Sequence, residues 1–68
     1  MEFGRIIRIV RRNGEVETYV LAEPDKAKAV AKLAARAATK LDPVEPIGRA
    51  SADLLKAMGL AAGEFSKA

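Results

Sequence analysis

Cysteine, histidine, glutamine and tryptophan are all missing from this chain. Without cysteine, no disulfide or thiolate metal site can supplement the core. Without histidine, the commonest metal ligand and the commonest general base are gone. Only Phe3, Tyr19 and Phe65 are aromatic, too few for a base-stacking platform of the single-strand-binding type. No apolar run approaches the roughly 18 residues that span a bilayer. Met1-Glu2-Phe3-Gly4-Arg5 lacks the basic-then-apolar order of a signal peptide. A soluble, cytoplasmic protein is the expectation. A single asparagine amid many charges is a composition seen in hyperthermophiles.

Catalysis has little to work with. Ser51, Ser66, Thr18, Thr39 and Tyr19 have no histidine to serve as base, and caps or sheet surface are their simplest roles. The carboxylates lie beside arginines or at helix starts, and Gly4, Gly14, Gly48, Gly59 and Gly63 are too scattered for a phosphate loop. The expectation is a non-enzyme with no metal and no cofactor, built as one domain of 68 residues near the lower size limit for a self-sufficient core.

What the chain does have is segregated charge. Residues 1–12 carry four arginines against Glu2, residues 13–25 only acids, and residues 26–41 the cations Lys26, Lys28, Lys32, Arg36 and Lys40 with no acid among them. Lys28, Lys32, Arg36 and Lys40 stand four apart. On a helix that spacing drifts about 40° per step, giving one continuous basic stripe. Like charges at this spacing cost a few tenths of a kcal/mol each, and a polyanionic partner would offset that cost. A solvated face opposite an alanine core is the plainer reading.

Periodicity predicts an α+β fold in the order β-β-α-α. Residues 3–22 read as a β-hairpin about Asn13-Gly14, the signature of a two-residue type I′ turn. That loop would set Arg12 against Glu15, Val10 against Glu17, Ile9 against Thr18, Arg8 against Tyr19 and Ile7 against Val20. Phe3, Ile7, Ile9, Val16 and Val20 then share a core face, and Arg8, Arg12, Glu15 and Glu17 pair on the other. Residues 24–41 predict a helix with Pro24 at its first position. Its apolar side would hold Ala27, Val30, Ala34, Ala37, Ala38 and Leu41, with Leu33 at the margin and the basic stripe opposite. Two prolines make residues 42–50 a stiff connector. Ser51 caps a second helix that Gly59 stops, over 51–59, and 60–68 is a tail with a short helical turn.

Residues 46–55, Pro46-Ile47-Gly48-Arg49-Ala50-Ser51-Ala52-Asp53-Leu54-Leu55, resemble the second half of a helix-hairpin-helix nucleic-acid-binding motif, with Pro46 in place of the first glycine. The resemblance implies a turn at Ile47-Gly48-Arg49 leading into a helix whose backbone N–H groups hold a DNA phosphate. The overlapping stretch Leu55-Lys56-Ala57-Met58-Gly59-Leu60 is similar to a helix-turn-helix core, which implies a recognition helix after Gly59.

The function this supports is backbone binding of duplex DNA or structured RNA with little sequence specificity, through Lys28, Lys32, Arg36, Lys40 and Arg49, flanked by Arg5 and Arg11. The competing class is a protein interaction module that docks on a partner through the outer face of the hairpin, or on an acidic protein through the basic helix. Ile6, Val10, Tyr19 and Leu21 look too apolar for a solvated face, and a two-stranded ribbon alone is marginal. A homodimer contacting through those four residues is therefore expected.

Overall fold

The computed structural model describes residues 3–37 and 42–68. Four strands and two helices follow in the order β1 (Gly4–Val10), β2 (Val16–Leu21), α1 (Lys26–Ala37), β3 (Val44–Ala50), α2 (Ala52–Ala57) and β4 (Phe65–Lys67). The strands form one antiparallel sheet in the order β3-β1-β2-β4. The α+β class holds, but the β-β-α-α order does not, because the connector and the tail each supply a strand.

The hairpin forms with its register shifted by one residue. Gly14 N–H donates to the Arg11 carbonyl at 2.9 Å, and Arg11 N–H donates to the Glu15 carbonyl at 2.7 Å. The loop is thus three residues, 12–14, a type I turn closed by a left-handed glycine. Only Gly14 (φ 89°) takes positive φ there, whereas a type I′ turn would force Asn13 into it as well. Arg8 now opposes Thr18, Ile7 opposes Tyr19, and Arg5 opposes Leu21.

A shift of one exchanges the faces of β2 relative to β1. Tyr19 and Leu21 join Ile7 and Ile9 in a core with Ala29 and Leu33 of α1. Val20 and Ile6 lie on the other face, beneath Leu55 of α2 and Leu60. This arrangement buries Tyr19 and Leu21 in the larger core, and each fully buried large apolar side chain contributes about 1.5–3 kcal/mol. Val16, expected in the core, is 54% exposed. The four residues expected to share a docking face therefore do not share one. Tyr19 and Leu21 are buried under α1, Ile6 packs against the α2 cluster, and Val10 alone of the four is outside both cores.

Residues 44–50 form a strand despite Pro46 because β3 lies at the sheet edge, where a missing N–H costs no ladder bond. The pairing slips beside the proline: Ile6 opposes Gly48 while Ile7 opposes Pro46, leaving Ile47 as the extra residue of a bulge. Ile47-Gly48-Arg49, the turn implied by the helix-hairpin-helix resemblance, thus lies in a strand. The helix that follows begins as expected. Ser51 Oγ accepts from Leu54 N–H at 3.1 Å, and Gly59 (φ 71°) follows the C-cap Met58. The element that comes next is a strand, where a recognition helix was expected. Residues 60–64 turn back so that Phe65 pairs with Leu21 in β4, secured by Gly63 N–H to the Ala22 carbonyl at 2.8 Å.

α1 starts at Lys26, with Asp25 as its cap and Pro24 just outside: Lys28 N–H donates to Asp25 Oδ1 at 3.0 Å. β2 and β3 both run antiparallel to β1, so α1 carries the chain across one sheet face from β2 to β3, passing over β1. α2 lies on the opposite face. No helix among the described residues is long and apolar enough to cross a membrane.

Candidate nucleic-acid interface

α1 is rotated about its axis relative to the sequence expectation. Ala29 and Leu33 are fully buried and Val30 packs beside them, while Ala27, Ala31 and Ala35 face solvent. At about 100° per residue this turns the buried side roughly 80° from the alanine-centred one expected. The physical reason is area: leucine removes far more apolar surface from water than alanine, so Leu33 takes the centre of the contact. The stripe consequently does not stand opposite the core. Lys28 is exposed, Lys32 half-buried and Arg36 exposed, along the flank of α1 that faces β4. Lys40 lies outside the described residues.

Between that flank and β4 runs an open groove of about 480 Å³. Lys32 and Arg36 line one side, and Gly63, Glu64 and Ser66 the other, with Leu60 also in the lining. Gly63 turns the chain here at φ 83°, a left-handed conformation that favours glycine, and its Cα faces the Lys32 ammonium. The Glu64 carboxylate in this lining is occupied locally: its Oε1 accepts from Ala61 N–H at 2.7 Å. Lys28, Lys32 and Arg36 make no ion pair among the described residues.

The hairpin arginines are different. Arg8 pairs with Glu45 at 2.9 Å. Arg11 bridges Glu17 and Asp42, its Nη1 2.7 Å from Asp42 Oδ2. Glu17 also accepts from the Tyr19 hydroxyl at 2.9 Å and lies 3.6 Å from Lys67 Nζ. The expected partners of Arg8 and Arg12 were Glu17 and Glu15; the shifted register and β3 replaced them, and Arg12 sits in the turn without an ion pair among the described residues. Arg11, expected to flank the ligand, is committed to this network.

Hydrogen bonds from Arg11 and then Tyr19 hold the Glu17 carboxyl below its usual range, and its contacts with Glu17 and Asp42 raise Arg11 in turn. A depressed folded-state carboxyl stabilises fully above the unfolded value, about 4.3 for glutamate, and that stability is lost as pH falls through the folded value. Melting temperature is thus expected to be flat from neutrality to about pH 5 and to fall below it. Arg11→Met should lower the neutral-pH melting temperature and flatten the acid-side fall. An unchanged acid-side fall in Arg11→Met would show that the pairing does not stabilise the fold.

Arg49 and Arg5 form a separate group. They oppose one another on β3 and β1, and their guanidinium carbons lie 4.7 and 5.0 Å from the centroid of Phe3. Tyr19 and Phe65 meet edge-on at 5.9 Å within the core region. All three aromatic rings are therefore engaged inside the chain. Arg49 sits on the edge strand β3, at the opposite side of the sheet from β4, so the expected binding set divides between two places.

A second concavity of about 520 Å³ lies beside α2, lined by Ala52, Asp53, Lys56, Gly59, Leu60 and Ala61. Among the described residues no group of metal-ligating side chains is placed to hold an ion. No protein-family model matches the chain, and neither a curated protein nor a solved structure does so.

Proposed function

We propose that this protein binds nucleic acid with little sequence specificity, holding the phosphate backbone of duplex DNA or structured RNA along the basic flank of α1. One observation carries the reading. Lys28, Lys32 and Arg36 have no ion-pair partner among the described residues, while Arg8 and Arg11 of the same small domain are paired. Cations left bare at a pitch of about 6 Å suit a ligand that brings its own regularly spaced negative charge. The engaged aromatics favour contact with the backbone over stacking with bases. Lys40 continues the same spacing in sequence.

The test is a fluorescence-anisotropy titration with duplex DNA and duplex RNA at two salt concentrations. Log affinity is expected to fall with log salt, and the slope to lessen by about 1 for each of Lys28→Ala, Lys32→Ala and Arg36→Ala. Absence of binding at about 50 mM salt overturns the proposal, since the electrostatic term is strongest at low salt.

A further inference from the structure

We infer that Arg5, Arg49 and Phe3 form a phosphate-binding site independent of the α1 flank. The two arginines are directly opposed on neighbouring strands, so their side chains leave the same face of the sheet. Like charges in that position repel, and no carboxylate among the described residues pairs with either one. The Phe3 ring offsets part of the repulsion through its π-face. The guanidinium carbons of Arg5 and Arg49 lie 5.0 and 4.7 Å from its centroid, so both charges lie against the one ring.

Arg5 is held as well as placed. Its Nε donates to the Pro24 carbonyl at 2.9 Å, which fixes the guanidinium plane and leaves both terminal nitrogens for a ligand. Arg49 is exposed, so its planar fork is open to an oxyanion. Guanidinium groups bind phosphate through paired short N–H···O bonds. A phosphate between Arg5 and Arg49 would cancel the repulsion that the bare site carries. The bound group is a phosphate, either free or at the end of a nucleic acid.

The test follows Phe3 ring protons and arginine Nε–Hε signals by NMR in the full chain. Sodium phosphate is titrated against sodium chloride at matched ionic strength, and separately a short oligonucleotide with and without a 5′-phosphate. Saturable shifts at these signals with inorganic phosphate assign the free anion. Saturation only with the phosphorylated oligonucleotide assigns a nucleic-acid end. Arg49→Gln is expected to weaken either response by about tenfold or more, with Arg49→Lys recovering part of it. Arg12→Gln/Lys56→Gln, which removes two charges at exposed positions outside both sites, is expected to leave the response to inorganic phosphate unchanged, which separates a local site from net charge. An equal response to chloride, shifts that never saturate, or an undiminished response in Arg49→Gln would overturn the inference.

Discussion

Gly4→Ala is expected to leave the chain unfolded at room temperature. A Cβ at Gly4 would overlap the Leu21 carbonyl oxygen and stand 3.1 Å from Leu55 Cδ2. The obstacle is backbone, which cannot turn aside as a flexible side chain can. Nor can Leu21 retreat, because it is fully buried and pairs with Arg5 on one side and Phe65 on the other. Gly4 itself pairs with Ala50 of β3. Displacing it therefore disturbs the central strand, its neighbours and the seat of Leu55 together. A domain of this size has only about 3–5 kcal/mol to lose. Gly48→Ala is the matched comparison, since nothing lies within 4 Å of a Cβ there, and its melting temperature should stay near that of the parent. Circular dichroism and thermal melting read both variants. A Gly4→Ala protein that melts cooperatively within a few degrees of the parent would show that β1 and β2 do not approach as described.

The second large effect is on binding. Lys32→Glu/Arg36→Glu reverses both cations of the groove and takes the formal net charge from +3 to −1, a change of two charges at each of two positions. Neither residue is buried, so the fold should survive, with a few tenths of a kcal/mol lost at the helix C-terminal end. Affinity for duplex is expected to fall by about a hundredfold or more at low salt, because two attractive contacts become two repulsive ones. Arg12→Glu/Lys56→Glu makes the same change of net charge at exposed positions on the hairpin turn and α2. It should cost far less. Equal losses in the two doubly reversed proteins would mean that net charge alone attracts the nucleic acid, with no role for the α1 flank.

Features set by a few adjacent residues were legible from the sequence. Asn13-Gly14 marked the hairpin, Ser51 and Gly59 bounded α2, and the four-residue spacing of cations set the stripe on α1. Each depends on local dihedral preferences or on hydrogen bonds within one turn. The hairpin register was not legible, because two turn types fit the same dipeptide and differ by one residue. Packing chose between them: burial of Tyr19 and Leu21 with Ile7 and Ile9 outweighs the alternative with Val16 and Val20. β3 and β4 were hidden for another reason. Pro46 argues against a strand only where the N–H is needed, and whether it is needed depends on which strand lies at the edge.

The basic flank shows the same division. Sequence by itself determined that Lys28, Lys32, Arg36 and Lys40 follow one another at four-residue spacing with no acid between them, because helical spacing is a local property. Only the tertiary structure decided where that flank points. Leu33 seeks the sheet more strongly than the alanines do, so it turned the helix and brought Lys32 and Arg36 over the groove beside β4. It also decided which cations are free, pairing Arg8 with Glu45 across strands far apart in sequence. Side-chain burial and long-range pairing depend on distant parts of the chain meeting, and no short window of sequence encodes that meeting.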